Sequence, residues 1–144
     1  MKLLAVAAVL VVFAACAGQD LLTGDRLDVG VVTVVFTASP ARVQVGSPVQ
    51  FRIRLSNNGG KTEQLVSSSA QVYDFWAKAG RREVWRWSSG RVFVQSVTTT
   101  DIQTQSSVTY TEIWRPSETG RFTVYGEIKA AGYAGPMKGT VIVE

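Results

Sequence analysis

At 144 residues the chain is long enough for one domain that buries roughly two thirds of its unfolded surface without staples. It has no histidine and a single cysteine, Cys16, which excludes a Ser-His-Asp triad, a Cys-His pair, the common zinc sites and any disulfide within the chain. The formal charge of +4 is a mild cationic excess that suits anionic envelope polymers or lipid, and the arginines fall on separate predicted strands, not in the one stripe of a nucleic-acid footprint. With those residue types missing, neither an enzyme nor a bound cofactor or metal is expected.

The first segment reads as an address. Met1 and Lys2 form a short positive region, and residues 3–13 are an unbroken apolar run. A spanning helix needs about twenty residues, so this run fits the apolar region of a signal peptide. It ends at Phe13, Ala14, Ala15 and Cys16, which resembles the lipobox of bacterial lipoproteins, with phenylalanine where leucine is usual. The resemblance implies cleavage before Cys16, lipid on the new N-terminal cysteine and retention at a membrane of the cell envelope. Two alternatives stand beside it. Cleavage after Ala17, in an Ala-x-Ala pattern, would release a soluble protein, and a retained apolar helix would leave the run in place. A lone thiol in an oxidising compartment is a liability unless it is consumed, and acylation consumes it. Residues 1–15 are therefore expected to be a signal peptide, residues 16–28 a polar tether, and residues 29–144 the folded domain.

The rest is rich in Val, Thr, Ser and Gly, which favours strands. Residues 29–37 form a β-branched run, followed by Pro40, a short strand at residues 43–45 and a turn at residues 46–48. The clearest strand comes next. Val49, Phe51, Ile53 and Leu55 alternate with Gln50, Arg52, Arg54 and Ser56, so one face is apolar and the other carries two arginines. Asn57, Asn58, Gly59 and Gly60 close it with residues that tolerate positive φ. Further strands are predicted over residues 63–66, 71–78, 83–88, 92–97, 107–114, 121–129 and 138–143. That spacing, with one apolar face per strand, predicts an all-β fold: a single Ig-like domain of two antiparallel sheets packed face to face.

Tyr73, Asp74 and Phe75, then Gly80, then Val84, Trp85, Arg86, Trp87 and Ser88, then Gly90, Phe93 and Gln95 form a distinctive series. It resembles the signature of the BsuPI-type intracellular proteinase inhibitor family. The strand from Phe51 to Asn57, the series Tyr110, Glu112 and Trp114, and the segment from Gly120 through Phe122 to Gly126 resemble other parts of the same family. The resemblance implies a proteinase inhibitor or proteinase-binding domain that acts through a loop. The family's namesake is cytoplasmic, so an exported member implies a different target, an extracytoplasmic serine protease or another envelope protein.

The signature also has a physical reading. If Phe75 faces Trp85 and Tyr73 faces Trp87, four aromatics share the core side and Asp74 lies opposite Arg86 on the other. Val84, Ser88, Phe93 and Gln95 are expected to belong to the same structural core. Trp76 is turned away from that aromatic face. Candidate binding residues lie in the loops, because sandwich loops carry contact surfaces. Arg81 and Arg82 at a hairpin tip would suit a trypsin-like target. Tyr133 or Met137, in the glycine-rich segment of residues 130–137, would suit a subtilisin-like one. The alternative to inhibition is an Ig-like structural or interaction module of the envelope.

Overall fold

The computed structural model describes residues 21–144. Residues 1–20, with the expected signal peptide, Cys16 and the start of the expected tether, lie outside the described residues. Eleven strands follow in order: β1 Thr23–Val29, β2 Val32–Ser39, β3 Arg42–Val43, β4 Val49–Asn57, β5 Glu63–Ser67, β6 Tyr73–Ala79, β7 Arg82–Arg86, β8 Thr98–Ile102, β9 Ser107–Trp114, β10 Gly120–Ile128 and β11 Met137–Val143. No helix occurs among the described residues. One sheet has the order β1-β2-β4-β9, the other β3-β11-β10-β6-β7, and β5 pairs with β8 in a small third sheet. Every pairing is antiparallel except β3 with β11. The protein is an Ig-like antiparallel β-sandwich.

Period-two alternation builds the core. Val34, Phe36 and Ala38 of β2 and Phe51, Ile53 and Leu55 of β4 point inward from one sheet. Phe75 and Ala77 of β6, Phe122 and Val124 of β10 and Val141 of β11 meet them from the other. Aromatic rings interlock at the centre, with Phe51 5.7 Å from Phe75 and 6.0 Å from Phe36 in edge-on geometry. Gly126 leaves room for this cluster. A β-carbon there would lie 2.6 Å from the ring of Phe36 and 3.1 Å from Ile53.

Two expectations need correction. The tether was expected to reach residue 28, but Thr23–Val29 is a strand of the domain. It pairs with β2 from Thr23 opposite Ala38 to Val29 opposite Val32, across a turn at Gly30 and Val31. Its side chains are mostly exposed, so it has no apolar alternation to betray it; main-chain pairing holds it. The Thr23 hydroxyl accepts from the Thr140 amide at 2.9 Å and fastens this edge to β11 in the opposite sheet. The second correction concerns residues 92–97, expected as a strand. They are irregular, and the strand at this point is β8, the polar stretch Thr98–Ile102, which pairs with β5.

Gly126→Ala should destabilise the domain by about 1–3 kcal/mol, because a methyl group would be forced into a filled core. Equilibrium denaturation of the two proteins gives the difference directly.

Candidate functional site

The signature residues lie on the hairpin of β6 and β7, and its register differs from the expected one. Ala77 lies opposite Trp85 and Trp76 opposite Arg86, with a bulge between Ala77 and Lys78. The Trp87 amide donates to the Phe75 carbonyl at 2.9 Å. The tip is a two-residue turn at Gly80, with φ of 59°, and Arg81. A tight turn plus one bulged residue displaces the pairing by two residues, so each side chain keeps its face while its partner changes.

On the outer face Asp74 is buried, and four donors converge on its carboxylate. These are Arg86 Nη1 at 2.6 Å, the Ser88 hydroxyl at 2.7 Å, the Phe75 amide at 2.9 Å and the Ser88 amide at 3.3 Å. Arg86 also donates to Glu83, and its guanidinium lies 4.3 Å over the Trp76 ring. Trp76 stacks on Tyr125 at 5.0 Å and is only 6% exposed, so it is covered from both sides and offers no contact surface.

The inner face carries the aromatics. Trp85 is half-buried against Phe51 and Trp114, and Val84 is half-buried beside them. Arg91, Trp87, Tyr73 and Tyr110 form one stack. The guanidinium lies 4.6 Å from Trp87, the Trp87 ring 4.5 Å from Tyr73 and the Tyr73 ring 4.6 Å from Tyr110. The Tyr73 hydroxyl donates to Glu112 at 2.6 Å. Burial, and then the hydrogen bond to that carboxylate, raise the phenol above its ordinary pKa, so it remains a neutral donor.

This platform carries residues 88–97. Gly90, with φ of 75°, turns the chain, and the Arg91 amide donates to the Ser88 carbonyl at 3.1 Å. Arg91 Nε donates to the Trp87 carbonyl at 2.9 Å, and Phe93 packs on the Trp87 ring at 5.7 Å. The Ala70 amide donates to the Val94 carbonyl at 2.9 Å. Among the described residues no other backbone–backbone hydrogen bond joins residues 92–97 to the domain. Phe93 is half-buried against Trp87 and anchors the segment, while Val92, Val94 and Val97 stand 98%, 70% and 70% exposed. Gln95, expected in the core, is exposed, and its amide donates to the Phe93 carbonyl. Alternation identified this segment as extended chain, but not that its valines face solvent. The available signal was apolar residues on both faces, Val92 and Val94 against Phe93, immediately after a glycine.

The loop candidates separate. Arg81 is exposed in the hairpin turn, and Arg82 pairs with Glu118 at 2.6 Å. Met137 is no loop residue. It starts β11 opposite Gly126 and its side chain is buried, so it cannot enter a partner's pocket. Tyr133 is half-buried against the core, with burial raising its phenol pKa. The Ala131 amide, bonded to the Val66 carbonyl, ties that loop down.

The chain belongs to the BsuPI intracellular proteinase inhibitor family, whose model matches residues 36–133. The family is described as one of proteinase inhibitors, which implies a proteinase partner in general. No curated protein matches the chain. Similar solved structures include a CARDB domain from Pyrococcus furiosus in complex with di-metal ions, 14% identical over 85% of this chain and 90% of that one, with a TM-score of 0.45. The sporulation control protein Spo0M from Bacillus subtilis is 13% identical over 80% of this chain and 50% of that one, with a TM-score of 0.49. A β-glucosidase from Listeria innocua is 11% identical over 78% of this chain and 16% of that one, with a TM-score of 0.47.

Asp74→Ala should cost about 2–4 kcal/mol, because it leaves two amides and the Ser88 hydroxyl without their acceptor and removes one of the two carboxylates paired with Arg86. Denaturant titration measures the loss. Limited proteolysis of the native protein should then show cleavage within residues 89–97 that the parent resists.

Proposed function

We propose that this chain inhibits a serine proteinase outside the cytoplasm by presenting residues 91–97 to the active-site cleft. The observation that carries the reading is the pair Val92 and Val94, held outward by the inward anchor Phe93. Inhibition in a substrate-like manner requires a segment whose order already exists, so that little conformational entropy is lost on binding. Without a disulfide, that order comes from Arg91 and Phe93 on Trp87, from the Ser88 contacts with Asp74 and from the Ala70 bond to Val94. Apart from the Phe93, Val94 and Ser96 carbonyls, the backbone of residues 92–97 is free to add to an edge in the proteinase, and alternate side chains would fill its pockets. The exposed valines of this segment, Val92, Val94 and Val97, suit an apolar specificity pocket. Arg81 suits a basic-specific one, but a tight turn does not present a chain in the extended form such clefts accept.

Export and anchoring belong to the same proposal. The apolar run of residues 3–13 and the lipobox-like approach to Cys16 support a lipidated N-terminal cysteine and an envelope location. Intact-mass analysis of the membrane fraction should show a diacyl or triacyl mass on a chain beginning at Cys16. A mature form that begins at Gly18 would replace the anchor with a soluble secreted protein.

Residues 21–144 contain all the described strands and core, and are the unit to titrate against subtilisin-like, elastase-like and trypsin-like proteinases. Inhibition is expected for an enzyme with an apolar pocket. Val92→Asp or Val94→Asp should weaken it by at least about a hundredfold, as expected when a charge must enter an apolar pocket, while Arg81→Ala leaves it unchanged. If micromolar domain inhibits nothing and residues 91–97 are cut as ordinary substrate, an envelope interaction module becomes the better account.

A further inference from the structure

We propose that the end of the sandwich at which the chain enters is a docking face for an anionic lipid surface, formed by exposed Arg81, Arg115 and Arg121 together with Leu21 and Leu22 at the edge where β1 enters. The inference rests on the anchoring of Cys16 proposed above, and it fixes the orientation of the domain.

Distance comes first. Leu21 is five residues beyond Cys16, a span of at most about 18 Å when fully extended. Because β1 has taken up the residues once assigned to the tether, the domain cannot stand far from its anchor. Register then says which end lies down. The Leu21 carbonyl accepts from the Ser39 hydroxyl at 2.6 Å. Ser39 lies opposite Gln50, and Val49 opposite Trp114. In the second sheet Thr140, bonded to Thr23, lies opposite Thr123, and Thr123 opposite Lys78. The turn at Gly80 and Arg81, the start of β10 at Arg121 and the end of β9 before Arg115 therefore share the end where Leu21 sits.

That end is basic. Arg42 pairs with Glu144 and Arg82 with Glu118, so their charges are balanced. Arg81, Arg115 and Arg121 are exposed, and among the described residues no carboxylate forms an ion pair with them. Leu21 and Leu22, at the β1 edge of the same end, are 62% and 58% exposed. Exposed arginines and a small apolar tip on one end of a domain bind a headgroup region together, by charge attraction and shallow insertion. Residues 91–97 lie toward the opposite end. Trp87 is reached only after β7 has run the length of the hairpin, and Val94 is tied to Ala70, ahead of β6. A domain docked in this way turns residues 91–97 away from the lipid.

The test uses residues 21–144, which carry no acyl chain, in co-sedimentation with vesicles of equal phosphatidylglycerol and phosphatidylcholine, and with vesicles of phosphatidylcholine alone. Binding is expected only to the anionic vesicles and should weaken steeply with salt. Each juxtamembrane basic residue contributes about a fivefold factor, so the triple variant Arg81→Ala, Arg115→Ala, Arg121→Ala should lose about a hundredfold. Removing the same charge elsewhere, with Arg54→Ala, Lys61→Ala and Lys138→Ala, should cost less than about fivefold. Unchanged denaturation midpoints establish that both triples are folded. Absence of binding to anionic vesicles, or equal losses in the two triples, overturns the proposal. So does binding to soluble polyphosphate as tight as to vesicles, which would assign the face to a polymer. The intact mass at Cys16 and the proteinase titration report on anchoring and inhibition separately, so each can fail without the other.

Discussion

The carboxylate of Asp74 sits where strand, hairpin and loop meet. A buried carboxylate costs several kcal/mol unless hydrogen bonds replace its water, and here four donors do so. Their origin matters as much as their number. One belongs to β6 itself, one to Arg86 on β7, and two to Ser88, the residue at which the chain leaves β7. The charge cannot be satisfied unless β7 lies in its register and the chain turns at Ser88. The start of the exposed segment is thus fixed by the electrostatics of the outer face, while its middle is fixed by packing on the inner face through Phe93 and Trp87. Two unlike interactions, on opposite sides of one hairpin, position the same ten residues.

This division explains why the signature reads as both structure and function. None of Tyr73, Asp74, Phe75, Trp85 or Trp87 is an exposed contact residue, and each contributes to the platform under residues 88–97. A family pattern made of buried residues can therefore mark a binding function whose contact residues lie outside the pattern. Val92 and Val94 are free to vary with the target, since their side chains touch little of the domain. Arg91 and Phe93 are not, because each makes its own contact with Trp87.

What was legible in the sequence follows the same physics. Strands with one apolar and one polar face, such as β4 and β10, were visible because burial imposes the period. The faces of β6 and β7 were also visible, since parity survives a displacement by two residues. Their register was not, because it depends on a bulge at Ala77 and Lys78 that no residue type announces. Strand β1 was hidden because an edge strand held by main-chain bonds needs no apolar alternation, and Thr23, Gly24, Asp25 and Arg26 look like a linker. Met137 was misplaced for the opposite reason. Its glycine-rich neighbourhood suggested loop, while the residue itself fills the core opposite Gly126. The exposed valines were the hardest to read, since an apolar residue in alternation is ordinarily assigned to the inside.

A sandwich of this size has two ends, and they are built differently here. The end near Leu21 collects the entering strand and two short connections that carry arginines, the turn at Gly80 and Arg81 and the chain between β9 and β10. The other end collects the longer connections: residues 58–62, residues 87–97 and the loop of residues 129–136. Long connections can form a contact surface only when something orders them, and three devices do so here. The side chain of Asn57 is buried, with its amide donating to the carbonyls of Lys61 and Ile102 and its oxygen accepting from the Gly59 amide. Ala131 is bonded to Val66, and Ala70 to Val94. Each replaces a constraint that a disulfide supplies in many small secreted domains, and each works because a polar group at the rim of the core is worth more paired than exposed. A chain without a second cysteine can keep a long loop in one conformation by this means, provided the loop begins and ends on strands whose register is itself fixed. Between β7 and β8 that condition is met by Ser88 on Asp74 at one end and by Thr98 opposite Ser67 at the other.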